Sequence, residues 1–100
     1  MEGVEKLHDY EVTVIFSPEI TEEDLPAEIE KMKQFITQKG GVVGEVNRWG
    51  RRKLAYPIKK YREGNYVLTP FKLQPEMTLE LERNLRSSER ILRYLLVRLE

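Results

Sequence analysis

Tyr10–Phe16 reads YEVTVIF. Tyr10, Val12, Val14 and Phe16 fall on one face of an extended chain, with Glu11 and Thr13 on the other. Such alternation in β-branched and aromatic residues predicts a strand with one buried side, which Ser17-Pro18 ends. The segment that follows has the other period. Thr21-Glu22-Glu23-Asp24 has the form of a capping box, with acids in the first turn, where the helix dipole favours them. Leu25, Ile29, Met32 and Ile36 then recur at spacings of four, three and four, one apolar stripe on a helix. Pro26 is tolerated because it lies in the first turn, and Lys39-Gly40-Gly41 supplies the stop.

The rest of the chain repeats this plan. Val42 to Ile58 reads as a long second strand, with a bulge or bend at Trp49-Gly50. Lys59–Asn65 (KKYREGN) is polar, and its Glu-Gly-Asn predicts the turn. Tyr66–Leu73 is a third strand. Its Pro70 cannot donate to a ladder, so a local bulge or a lost bond is expected there. Pro75 and Glu76 open a second helix, on which Met77, Leu81 and Leu85 share a face. Ser87–Arg90 is a turn, and Ile91–Leu99 (ILRYLLVRL) a final strand. The order β-α-β-β-α-β is the ferredoxin-like plan of the α+β class. Right-handed crossovers place the first and third strands in the middle of a four-stranded antiparallel sheet. Two helices cover one face of that sheet and leave the other open. One domain spans residues 1–100, with 1–8 expected to fray.

The composition is that of a soluble globular chain, 40% hydrophobic and 34% charged. No apolar run approaches the roughly 18 residues of a membrane span, and no membrane partner is expected. Without Cys there is no thiolate metal site and no disulfide. The opening MEGVEKLHDY lacks the pattern of a signal peptide, which predicts a cytoplasmic protein. The formal charge is zero, but it is unevenly laid out. Residues 1–30 hold ten acids and one Lys, whereas residues 48–62 hold seven bases and no acid. Separate acidic and basic surfaces are expected, a property that concerns partners rather than fold.

Enzyme chemistry finds no support in the residues. His8 is the only His, and no Cys accompanies it for a metal. The acids of the first helix read as a solvated face. Gly40-Gly41 follows a helix rather than preceding one, so it is a cap and not an anion cradle. No cofactor, metal or small-molecule substrate is expected. The basic cluster is different. In Arg48–Ile58 (RWGRRKLAYPI) the only Trp adjoins three cations. Arg offers a planar donor fork to phosphate, and Trp and Tyr stack on bases or cap a core. The third strand lacks the basic-Gly-aromatic run of the RNA-recognition module, so base stacking on the open face is not expected.

WGRRKLAYPI, the later YVL, the LE…LR helix and the closing ILRYLLVR resemble the bacterial small-subunit ribosomal protein six family, from Tyr10 to Arg98. The resemblance implies a ferredoxin-like domain without enzymatic activity, located on the cytoplasmic ribosome. It implies a partnership with small-subunit ribosomal protein eighteen, and joint binding of the pair to the central domain of small-subunit ribosomal RNA. A basic partner would supply much of the charge that RNA binding needs. On this reading the second strand is an exposed edge presenting Trp49, Leu54 and Tyr56 to the partner. Arg51, Arg52 and Lys53 contact RNA or partner, joined at the RNA by Tyr10, Arg93 and Arg98, three residues that neighbouring strands can bring together. One departure concerns the N-terminus. Asp9 precedes Tyr10 where the family often has a base, which weakens an N-terminal phosphate contact.

Two other readings use the same fold. A dimerising or ligand-sensing regulatory module would associate through its open sheet face. An acyl-phosphate hydrolase would need an anion-cradling loop after the first strand, but Ser17-Pro18-Glu19-Ile20 lacks Arg and Gly. Fold alone separates none of these.

Overall fold

In the computed structural model, which describes residues 6–99, strand β1 (His8–Phe16) lies at the centre of the sheet. Tyr10, Val12, Val14 and Phe16 are buried, as the alternation predicts. Helix α1 (Leu25–Gln38) buries Leu25, Ile29, Met32 and Ile36, its whole apolar stripe. Thr21 Oγ1 accepts the Asp24 N–H at 3.1 Å, so the capping hydroxyl acts on a turn that leads into the helix. Gly40, at φ +87°, takes the left-handed backbone just past its end.

The expected second strand is two strands. β2 (Val42–Val43) and β3 (Asn47–Ile58) both pair with β4 (Tyr61–Leu73) along the same edge. The break between them faces Pro70, whose carbonyl accepts the Gly44 N–H at 2.8 Å. In a strand the N–H and C=O of one residue point the same way, so the donor that Pro70 lacks is missing on this same side. The consequence expected of Pro70 therefore falls on its neighbour strand, while its register with β1, opposite Glu11, is unbroken.

The turn is also displaced from its expected place. Ile58 pairs with Tyr61, so Lys59-Lys60 is a two-residue hairpin loop, and Glu63-Gly64-Asn65 lies within β4. Lys59 and Lys60 have φ of +50° and +76°. Hydrophobic residues on either side set the register, and the two lysines adopt the left-handed turn that remains.

A short 3₁₀ turn (Pro75–Met77) leads into α2 (Thr78–Ser87), which buries Leu81 and Leu85. Strand β5 (Ile91–Arg98) pairs with β1 and completes an antiparallel sheet with β4 and β1 in the middle. His8 was expected to fray with residues 1–8, but it begins β1 opposite Leu73; residues 1–5 lie outside those described.

Among the described residues, one buried side-chain group is unpaired. Thr69 is fully buried, and its Oγ1 has no hydrogen-bond partner. Thr69→Val removes that cost and keeps the shape. It should raise stability by about 1 kcal/mol, read as a higher urea midpoint at unchanged slope.

Candidate nucleic-acid and partner interface

Strand alternation decides what reaches the face that the helices leave open. Tyr10, Val12, Val14 and Phe16 point to the helices, so Thr13 and Ile15 point away. Through the ladder, Leu68 and Tyr66 of β4 share this face, as do Leu95 and Arg93 of β5. Leu95 is 62% exposed, as expected of an apolar residue with no helix above it.

β3 adds the aromatic residues. At Trp49-Gly50 the register with β4 slips by one, and Gly50 takes φ +85°. This is the bulge expected from the sequence. It sets Trp49 against Tyr66, with ring centroids 6.4 Å apart and planes 9° from parallel. The Arg52 guanidinium lies over the Trp49 ring at 5.4 Å. A second irregularity follows. Between Lys53 and Ile58 the pairing shifts by three residues, so Leu54–Pro57 stand opposite Arg62 alone. That segment carries Tyr56 across to β5, where Arg93 donates a hydrogen bond to its hydroxyl. The Arg93 guanidinium also sits 5.9 Å from the Tyr56 ring centre. Thr13, Ile15, Trp49, Leu54, Tyr56 and Leu95 thus line one open groove of about 390 Å³.

Trp49, Leu54 and Tyr56 therefore meet on one face, and Arg52 and Arg93 border them. The other candidates divide. Arg51 and Lys53 point to the opposite side, because neighbours in a strand alternate. Arg51 donates to the Pro18 carbonyl at 2.8 Å and pairs with Glu63 at 3.6 Å, so its charge is already shared within the chain. Arg98 is exposed at the end of β5, with a guanidinium nitrogen 2.5 Å from His8 Nδ1. Tyr10 requires a correction. It is only 6% exposed and stacks on Phe71 at 5.5 Å, so its ring belongs to the core and is not open to RNA. Nor do Tyr10, Arg93 and Arg98 converge. Arg98 pairs with Tyr10, whereas Arg93 pairs with Ile15 and faces the open side. Tyr66, Ile15 and Leu95 were missed as groove residues. Their alternation was legible, and which side lay open followed from β1.

The acidic and basic blocks are not fully separate surfaces. Arg48 binds Glu22 at 3.0 Å, and Arg90 and Lys72 reach Glu28 and Asp9. Exposed pairs of this kind add little stability, about 0–1 kcal/mol each. Of these, the Arg48–Glu22 pair joins the two blocks, while Arg90 and Lys72 neutralise the acidic block from outside the basic one.

The helix-covered β-α-β-β-α-β sheet matches a known group. The family model for ribosomal protein S6 matches residues 9–98. The chain belongs to the ribosomal protein S6 family. It is 45% identical over 94 residues to small ribosomal subunit protein bS6 of Moorella thermoacetica, covering 94% of this chain and 96% of that one. It is 47% identical over 91 residues to bS6 of Clostridium novyi, covering 91% and 96%. The crystal structure of 30S ribosomal protein S6 from Thermotoga maritima superposes with a TM-score of 0.88 at 34% identity, covering 94% of this chain and 89% of that one. The ferredoxin-like fold is thereby established for the S6 member described here, with its second strand in two pieces. The family is one of structural proteins of the ribosome rather than of enzymes.

Proposed function

We propose that this protein is a structural constituent of the small ribosomal subunit that binds ribosomal RNA jointly with a second protein. Its family is one of small-subunit proteins of the cytoplasmic ribosome, at work in translation. The partner is small-subunit ribosomal protein eighteen, seated on the open sheet face over Trp49, Leu54 and Tyr56. The RNA is the central domain of small-subunit ribosomal RNA, contacted by Arg52, Lys53, Arg93 and Arg98, with Arg51 in support. The groove on the bare face carries this reading: it pairs 45%-exposed Trp49 and 54%-exposed Tyr56 with apolar walls and a rim of cations. An exposed apolar patch with a polar rim of that kind marks an interaction site. Arg52 over Trp49 keeps the face soluble until a partner arrives.

The test measures binding of the central-domain RNA fragment at two salt concentrations, with and without the partner. Binding is expected only with both proteins present. Four phosphate contacts from this chain contribute a slope of about −3 in log K against log salt, roughly eightfold per doubling of salt. No binding in either case, with a stable homodimer instead, would transfer the groove to a dimerising regulatory module.

A further inference from the structure

A second cation cluster adjoins the groove and shares Arg93 with it. Lys59 of the β3–β4 turn, Arg86 in the last turn of α2, and Arg93 and Tyr94 of β5 surround a concavity of about 250 Å³. That space holds several water-sized groups, at roughly 30 Å³ for each water. The three cations come from three separate elements, so their meeting is a product of the fold.

Each cation keeps donors in hand. The Lys59 ammonium makes no hydrogen bond or ion pair among the described residues. Arg93 commits one nitrogen to the Tyr56 hydroxyl. Arg86 donates through Nη1 to the Tyr94 hydroxyl at 3.1 Å, and that nitrogen is 3.9 Å from Glu82. A guanidinium has five N–H donors, so both arginines retain free ones. Glu82 is the carboxylate engaged here, accepting from Tyr94 at 2.9 Å. Burial first, and then the Glu82 hydrogen bond, push the Tyr94 hydroxyl above its usual pKa, so it adds no negative charge at neutral pH.

The turn gives an independent indication. A two-residue loop with both φ values positive prefers Asn-Gly, yet lysines hold both places. Strand register fixes that backbone, so Lys59 is held at a set place beside the concavity.

We propose that Lys59, Arg86 and Arg93 form a cradle for one backbone phosphate of the bound RNA, beyond the contacts at the groove. The proposal rests on the joint RNA binding described above. Arg93 then touches both regions, held beside the cradle by the Tyr56 hydroxyl.

The test uses the full chain with its partner and the central-domain RNA fragment. Lys59→Asn removes the charge and suits the left-handed turn, so the fold is retained. It should weaken RNA binding threefold to tenfold (roughly) at low salt and make the salt slope shallower by about 0.7–0.9. Lys59→Arg should restore both, and Arg86→Gln should repeat the loss. Binding of the partner without RNA should be unchanged in all three. An unchanged slope in Lys59→Asn, with wild-type binding intact, overturns the cradle alone. Failure of the wild-type pair to bind RNA overturns the joint-binding reading and the cradle with it. Inorganic phosphate, titrated without RNA at matched ionic strength, separates the sources of the anion. Saturation below about 1 mM would make this a free-phosphate site and overturn the RNA assignment.

Discussion

Trp49→Ala should weaken binding of the partner protein by about a hundredfold, close to 3 kcal/mol, measured by calorimetry without RNA. The expectation follows from the position of the ring. Trp49 is fixed by the bulge at Gly50, stacked on Tyr66, and held beneath Arg52 before any partner binds. A preorganised aromatic at the wall of an apolar groove loses little conformational freedom on burial. Its removal also leaves Arg52 without the ring that it covers. The free protein should lose far less, because the residue is already 45% exposed. A thermal melt close to wild type then separates lost docking from lost folding. Unchanged partner affinity would show that the partner docks elsewhere, and the groove would need a different occupant.

Phe16→Ala should destabilise the folded protein by about 3–5 kcal/mol in urea unfolding. Phe16 is 1% exposed at the end of β1 and sits beneath the cleft between α1 and α2. It pairs with Asn65 on one side and Ile91 on the other. Deletion of the ring leaves a hole that two strands and two helices must fill together. Domains of this size have about 5–15 kcal/mol in total, so the variant should be marginally stable. A loss below about 1.5 kcal/mol would mean that the helices close over the hole, a mobility that the packing of Met32 and Leu85 does not suggest.

Much of the fold was legible because its signals are local. The stripe Leu25, Ile29, Met32, Ile36 is a helical period written in the chain, and all four residues are buried. The YEVTVIF alternation identified a strand and its core side together. By the same rule Tyr10 was already marked as a core residue, and the structure holds it there against Phe71. The RNA role came to Tyr10 only through the family resemblance, and burial excludes it. The turn was misplaced for a related reason. Glu-Gly-Asn is a strong local turn signal, but a two-residue loop between Ile58 and Tyr61 lets β4 run thirteen residues. Cross-strand pairing outweighed local preference, and two lysines took the unfavourable backbone.

The candidate site was legible as a set of residue types and not as a surface. RWGRRKLAYPI announced aromatics beside cations, yet its three consecutive bases do not act together. Arg52 lies over Trp49, while Arg51 turns to the Pro18 carbonyl on the other side. The chain by itself determined the order of elements, the core stripes and the bulge at Trp49-Gly50. Each depends on residues a few positions apart, through periods of 2 and 3.6 or the freedom of one glycine. The tertiary structure alone decided that Leu54–Pro57 would loop out to bring Tyr56 to Arg93. It alone gathered Lys59, Arg86 and Arg93 around one hollow. Those meetings depend on strand register and helix placement across tens of residues, which no local pattern encodes.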